Sequence, residues 1–342
     1  MYNMSSRYFI IPYIIIQAFY SSYLMAQTQS KNCNEKSFSS ILQEAEGGNV
    51  SAQINVGEMY GLGRGIYPDR NRMLHWYKKA AVTGNVEAKL ILARKYIELE
   101  DYDQAIIWLN QAVDLGDPTA KSLLAIMYLL EQGVIKNPKR ALSLYKEAAN
   151  ENELLSLVNL GLIYEEGEIV PKDDNQAQSF FNKAKMLAKE RNDANSQLIL
   201  AYIHEKYGDK EQTLSSYYKA AELGSADAEY YIANAYIFGI GTSKNEEQAI
   251  YWYNKSAKHG NKSAQFELVK MHYFYKNYKQ AYFWLSVLAA NISEDDKLGN
   301  ELSYYRGRIL GRMTEDTIIS IDKSVIDYFE KWSDCNNNNP SN

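Results

Sequence analysis

Apolar residues recur three and four positions apart along almost the whole chain, in a frame that repeats. The pattern A-x-x-x-[LIV]-[GA]-x-x-Y begins at Ala52, Ala88 and Ala120. It returns at Ser156 and Ser196, then at Ala228 and Ala264. The spacings are 36, 32, 36, 40, 32 and 36 residues. A second pattern, A-x-x-[WF]-x-x-x-A, follows the first, as in Ala105…Trp108…Ala112 and Ala177…Phe180…Ala184. Ala249…Trp252 and Ala281…Trp284 share its opening, and Trp76 falls on the same register. Four of five tryptophans at one repeat position exclude chance. Both patterns place apolar residues on one helical face, so each repeat predicts two helices, A and B. The small residue inside helix A (Gly57, Ala93, Ala125, Gly161, Ala201, Ala233) lets helix B approach, and the aromatic on B fills the space beside it.

The punctuation agrees. Before each helix A stand Gly48-Asn49, Gly84-Asn85, Gly116-Asp117, Asn152-Glu153, Asn192-Asp193, Gly224-Ser225 and Gly260-Asn261. Gly or Asn suits the left-handed residue that ends a helix, and Asn, Asp or Ser caps the next one. Glu153 reads as the one weak cap. Counted from the small A residue to a fixed B position, the A–B connection is four residues longer in repeats 1, 3, 4 and 6 than in repeats 2, 5 and 7. The longer connections carry Gly61-Leu62-Gly63, Gly133, Gly167 and Gly239-Ile240-Gly241. No strand precedes these glycines and no third glycine follows at the G-x-G-x-x-G spacing, so they do not read as a phosphate cradle.

The combined pattern A-x-x-x-L-G-x-x-Y-x-x-G-x-G…A-x-x-W-Y-x-K-A-A-x-x-G resembles the Sel-one-like repeat, a relative of the tetratricopeptide repeat. Residues Ala52–Gly84 match it nearly throughout, including Trp76-Tyr77 and Ala80-Ala81. Ala228–Gly260 match almost as well, with Ser256 in place of one alanine. Repeats 2, 5 and 7 lack the glycine loop and look closer to plain tetratricopeptide units. The resemblance covers about 41–291. It implies an all-α fold: a right-handed α/α solenoid superhelix of about seven helix-turn-helix repeats with terminal capping helices. It also implies a scaffold or adaptor that binds a protein or peptide segment in a concave groove, without catalysis. Ser37–Glu46 and Leu298–Trp332 are the capping candidates, and Thr314-Glu315-Asp316 starts the last helix with a cap and two acids.

If helix A lines the groove, the exposed positions lie three before, one after and four after the small residue. They include Ile54, Glu58, Leu90 and Arg94, then Leu198, Tyr202, Tyr230, Asn234, Phe266, Lys270 and Tyr273. The protein-binding residues expected from this register are Glu58, Arg94, Tyr202, Tyr230, Asn234, Phe266, Lys270 and Tyr273. With 29 tyrosines in the chain, packing between repeats is the competing role for the aromatics.

Composition adds compartment and exclusions. The only charge before Lys31 is Arg7, followed by the apolar run Tyr8–Ala18 and then Leu24-Met25-Ala26. This is the grammar of a cleaved secretory signal over 1–26. An uncleaved anchor needs about 20 mostly apolar residues, which Pro12, Gln17, Ser21 and Ser22 interrupt. We therefore expect an exported protein, periplasmic or secreted, without stable membrane insertion after cleavage. The expected organisation is a linker and cap at 27–47, repeats at 48–291, capping helices at 292–334 and a disordered tail at 335–342. Net charge of −5 argues against nucleic acid. The 19 glycines and 6 prolines are about 7% of the chain, against a usual ~12%, which favours long helices.

Chemistry is sparse. Of the four histidines, His204 and His272 stand where other repeats carry Tyr, and His75 and His259 have no Cys or His nearby in sequence. H-E-x-x-H, C-x-x-C and G-x-S-x-G are absent, so no metal, cofactor or catalytic set is expected. S-x-x-K occurs at Ser143-Lys146, Ser216-Lys219 and Ser320-Lys323, without S-D-N or K-T-G. These matches, with export, motivate the alternative of a cell-envelope hydrolase or penicillin-recognising protein. Exported relatives labelled as penicillin hydrolases carry paired cysteines in their repeats, which this chain lacks. Cys33 and Cys335 bracket the repeats. The ends of a seven-repeat solenoid are expected to stand beyond the ~7 Å Cα limit of a disulfide, which favours free or intermolecular thiols.

Overall fold

The computed structural model describes residues 37–292 and 298–331. The predicted signal at 1–26, the tail at 335–342 and both cysteines lie outside the described residues. Among the described residues there are seventeen α-helices and no strand. A first helix, α1 (Phe38–Glu46), precedes seven A/B pairs: α2 (Val50–Leu62) with α3 (Arg70–Ala81), α4 (Val86–Glu98) with α5 (Tyr102–Asp114), α6 (Pro118–Leu130) with α7 (Pro138–Asn150), α8 (Leu154–Glu166) with α9 (Asp174–Arg191), α10 (Ala194–Lys206) with α11 (Lys210–Glu222), α12 (Ala226–Phe238) with α13 (Glu246–Lys258), and α14 (Lys262–Phe274) with α15 (Tyr278–Ala290). Two further helices follow, α16 (Gly299–Leu310) and α17 (Glu315–Glu330). The architecture is the expected α/α solenoid of helix pairs. It forms two compact units, 77–228 and 37–76 together with 229–331.

Local chemistry fixes each pair. In helices A the caps act as predicted: Asn85 Oδ1 accepts from the Ala88 N–H at 2.8 Å and Asp117 Oδ1 from Ala120 at 2.7 Å. Glu153 corrects its reading as a weak cap. Its carboxylate accepts from the Leu155 N–H at 3.2 Å and the Ser156 N–H at 2.6 Å, and burial pushes its pKa up. Thr314 corrects in the other direction. Its side chain makes no capping bond and pairs instead with the Thr317 hydroxyl at 2.9 Å.

A second set of caps, outside the repeat punctuation, stands on every helix B. Asp69, Asp101, Asn137, Asp173, Asp209, Asn245 and Asn277 each accept from the N–H three residues on, at 2.9–3.4 Å. The N–H of that same capping residue returns to one fixed carbonyl, that of the Tyr or His ending the first sequence pattern. In the long connections the pairs are Asp69–Tyr60, Asn137–Tyr128, Asp173–Tyr164 and Asn245–Tyr236, at 2.9–3.0 Å. In the short ones they are Asp101–Tyr96, Asp209–His204 and Asn277–His272, at 2.8–2.9 Å. Four added residues therefore change the loop but leave its closing hydrogen bond in place.

In the unit 77–228 the core runs through Leu92, Leu109, Leu144, Tyr145, Leu157, Leu160, Phe181 and Leu198, all buried. Gly161 shows what the small A residue is for: a Cβ there would meet the Phe181 ring at 2.8 Å. Phe181 is the residue after the predicted aromatic position. Tyr77, Leu109, Tyr145 and Tyr253 stand one place after the Trp register and are buried too. Helix B therefore buries the position after the flagged one as well, while the flagged aromatic itself is only half-buried at Phe180 and Trp252.

In the second unit, α16 and α17 both pack on α15. Ile309, Ile321, Val325 and Phe329 join Trp284, Leu285 and Leu288 in one core. Phe329 also reaches the first repeat. Its carbonyl accepts from the Gly65 N–H at 2.9 Å, and its ring stands edge-on to Tyr67 with centroids 5.3 Å apart. The expectation that the ends of the array stand far apart is therefore corrected: the last described helix is seated on the loop that follows α2.

Candidate functional site

The predicted site residues fall in the two units, and burial sorts them. Glu58 is buried, 3.3 Å from Arg64 Nη1, and Arg94, Leu90 and Leu198 are buried as well. The exposure expected from the register is thus not found there, and Glu58 instead pairs with the likewise buried Arg64. Tyr202 is half-buried beside Glu165, Glu166 and Glu205, and burial is the main cause of its raised pKa. Burial, helped by Glu168 and Glu165, pushes the neighbouring Glu166 carboxyl up to about 7, against a weaker opposing effect of Lys206. Lys206 pairs with Glu165 and lies over the Phe181 ring.

The other five predicted residues lie within the second unit. On α12, Tyr230 stacks obliquely on Tyr253 of α13, with centroids 5.8 Å apart. Asn234, one turn further along, accepts from the Tyr253 hydroxyl at 2.6 Å. On α14, Phe266 is buried edge-on against Tyr305 of α16, at 5.9 Å. Lys270 Nζ sits 5.1 Å from the Phe266 ring centroid and 2.6 Å from Glu267 Oε1. Tyr273 packs edge-on against Tyr305 at 5.3 Å. Arg308 lies over the Tyr304 ring at 4.5 Å, and its bond to Tyr273 raises its pKa. Phe266 and Tyr273 therefore do part of the packing for α16, the competing role named for the aromatics.

Tyr253, Tyr304, Tyr305 and Arg308 were missed by register counting. Tyr253 stands one place after the Trp position, and the Tyr304-Tyr305 doublet sits on a helix read only as a cap. The surface that results carries π faces, two cations and amide and phenol groups. Such a set binds by stacking, cation–π contact and hydrogen bonding. It is not a nucleophile–base set.

Elsewhere, Ser143 of the first S-x-x-K donates to Glu147 Oε1 at 3.0 Å, and Ser216 of the second is buried. Burial lowers the pKa of His204 and of His272. His259 Nδ1 lies 2.7 Å from the fully buried Glu229. Among the described residues, no group of three or more His, Cys, Asp or Glu is arranged to hold a metal ion, and no helix is long and apolar enough to cross a membrane.

A family model described as Sel1 repeat matches residues 50–81, 94–117, 118–153, 154–188 and 226–261. Four of these segments coincide with helix pairs seen in the structure, and 94–117 covers only the end of α4 with α5. The chain is a Sel1-repeat protein. Sel1-repeat proteins generally act as protein-interaction scaffolds. Repeats 5 and 7, with short loops, lie outside the matched segments, whereas short-loop repeat 2 is matched in part.

This Sel1-repeat chain is similar to chitin synthase regulatory factor 3 of Schizosaccharomyces pombe, with 26% identity over 239 residues, 66% of this chain and 26% of that protein. It is similar to the Sel1-repeat-containing protein YjcO of Escherichia coli K12, with 28% identity over 158 residues, 44% of this chain and 67% of that one. The solved Sel1 repeat protein of Oxalobacter formigenes is 26% identical, covering 70% of this chain and 98% of its own, at a TM-score of 0.44. The chain spans 26% to 48% of the length of the first curated relatives it matches.

Proposed function

We propose that this protein is a non-catalytic, exported scaffold that binds a protein or peptide segment in the groove of its solenoid, at the aromatic surface of α12, α14 and α16. The observation that carries this reading is the succession of Tyr230, Tyr273 and exposed Tyr304 on three helices, interleaved with Asn234, Lys270 and Arg308. Tyr and Arg are enriched among the residues that carry interface energy, Tyr because it offers a large rigid face with a polar end and Arg because its planar cation stacks and donates several hydrogen bonds. Export rests on Arg7, the apolar run Tyr8–Ala18 and Leu24-Met25-Ala26, which together have the form of a secretory leader.

The groove is tested with the tagged full chain and a Tyr230→Ala/Lys270→Ala/Tyr304→Ala variant, both used to capture partners from envelope extract. A partner held by the parent and lost by a variant with unchanged helical circular dichroism supports the site. A partner held equally by both moves the site to another face. Export is tested by the N-terminal sequence of the protein recovered from its native host. A start near residue 27 supports it, and an intact leader on a cytosolic protein refutes it.

A further inference from the structure

Two polar groups on α8, in the unit 77–228, lack a partner within the protein. Asn159 is 8% exposed, and its Nδ2 makes no hydrogen bond among the described residues. An amide shut away from water without a partner costs stability, so its presence calls for a partner from outside the chain. Seven residues on, Glu166 is half-buried and forms no ion pair among the described residues, since Lys206 pairs with Glu165 instead. Seven residues turn a helix through about 700°, so Asn159 and Glu166 share one face of α8, about 10.5 Å apart along its axis. Half-buried Leu162 lies between them on that face. The opposite face is taken by α9, where Gly161 abuts the Phe181 ring and Tyr164 stacks on Phe180. The unpaired amide and the unpaired carboxylate are thus aimed the same way.

The charge around this face is one-sided. Burial first, then Glu168 and Glu165, raise the Glu166 carboxyl to about 7, against Lys206. Tyr202 of α10 stands beside Glu165, Glu166 and Glu205. Glu165, Glu166, Glu168 and Glu205 outnumber Lys206, which leaves the face acidic. Among the described residues no three of them are arranged to hold a metal ion, so the carboxylates line the face singly. They suit a cation carried on a long side chain, with the Tyr202 ring as a second support.

We propose that this face of α8 and α10 docks an extended peptide segment carrying Lys or Arg. The Asn159 amide bonds the backbone of the segment, and Glu166 takes the cation. The amide turns about its terminal torsion at low cost, so either of its atoms can meet a backbone group. An extended chain advances about 3.3 Å per residue, so the backbone group at Asn159 and the cationic residue at Glu166 stand about three positions apart. Docking thereby supplies the missing hydrogen bond and the missing counter-ion together, and an acidic segment is repelled.

The test is a titration of the purified full chain with a fluorescein-labelled peptide, Gly-Ser-Arg-Gly-Ser-Arg-Gly-Ser, followed by anisotropy at pH 8, where Glu166 is largely charged. A counterpart with Glu in place of Arg is the charge control. The expected result is saturable binding of the Arg peptide, at least about tenfold tighter than that of the Glu peptide. Glu166→Gln should weaken it about fivefold, whereas Glu190→Gln, the same charge change on the exposed surface of α9, should alter it less than about twofold. Asn159→Leu should weaken it about fivefold while leaving the urea midpoint equal or higher, because it removes an unpaired buried amide. A purely structural amide would instead lower the midpoint when lost. Equal affinity for the two peptides, or unchanged affinity in either Glu166→Gln or Asn159→Leu, would overturn the proposal. It rests on the scaffold reading but on neither export nor the surface of α12, α14 and α16. The Tyr230→Ala/Lys270→Ala/Tyr304→Ala variant should therefore bind the Arg peptide as the parent does, and loss of binding there would move the segment to the aromatic surface and overturn the assignment.

Discussion

At the residue scale, two glycines in helices make opposite predictions. Gly161 has the Phe181 ring 2.8 Å from the position of an added methyl, whereas nothing lies within 4 Å of the same position on Gly307. Alanine is intrinsically better in a helix by up to about 1 kcal/mol. At Gly307 that gain stands alone, so Gly307→Ala should raise the urea midpoint. At Gly161 overpacking, typically about 1–3 kcal/mol, exceeds the gain, so Gly161→Ala should lower it. Glu166 supplies a pH prediction. Its carboxyl titrates at about 7 in the folded chain against 4.5 for the free group, chiefly through burial. The folded state thus holds the proton more firmly. The stability this contributes is complete below pH 4.5 and is lost as pH rises through about 7. Unfolding midpoints measured across that window should fall with pH, and Glu166→Gln should flatten the fall.

At the element scale, the repeat spacings decompose into physical pieces. Three residues separate A from B in the short connections and seven in the long ones, as between Glu98 and Tyr102 and between Leu130 and Pro138. That accounts for the steps of 32 and 36. The step of 40 has a further cause: α9 is 18 residues long, whereas helix B of the other repeats has 12 or 13. The sequence showed the extra residues in repeat 4, and only the structure places them in the helix. Because both loop classes close on the same carbonyl, replacing residues 131–137 by Leu-Glu-Asp, as in repeat 2, should leave α6 and α7 intact. The change removes the Gln132–Tyr102 hydrogen bond, 3.2 Å, and the close approach of Gly133, where an added Cβ would meet Tyr102 and Ile106 at 2.7 Å. A cost of about 1–2 kcal/mol is expected by chemical denaturation, with helical circular dichroism unchanged. Loss of cooperative unfolding would contradict the shared closure.

At the scale of the molecule, the seat of Phe329 decides how repeat 1 is held. Terminal repeats of a solenoid ordinarily have one neighbour and fray first. Here the loop after α2 has a second neighbour in α17. Phe329→Ala removes a fully buried ring and should cost about 3–5 kcal/mol. Hydrogen exchange should rise locally at Gly65 and along α1, while Leu157 and Leu160 in the other unit keep their protection. A uniform rise across both units would mean that the seat is part of one global cooperative transition. The aromatic surface belongs to this scale as well. Register counting found Tyr230, Asn234, Phe266, Lys270 and Tyr273, but Phe266 and Tyr273 also pack against Tyr305 of α16. That contact is made by a helix outside the repeat pattern, so no count within the repeats reveals it.

Helix pairs, most caps of helices A and the two loop classes were legible in the sequence because they are decided within about forty residues, by periodicity and by side chains that bond to their own backbone. The family followed from the same short-range signal. Three things were decided only in three dimensions. The position after Trp proved to be core, buried at Tyr77, Leu109, Tyr253 and Leu285 by the packing of the repeats. Tyr304, Tyr305 and Arg308 joined the surface because α16 packs on α15. The last described helix is seated on a loop more than 250 positions earlier in the chain, next to Gly63, Gly65 and Tyr67. A contact at that separation leaves no periodic trace in the sequence, because it joins residues of no common repeat.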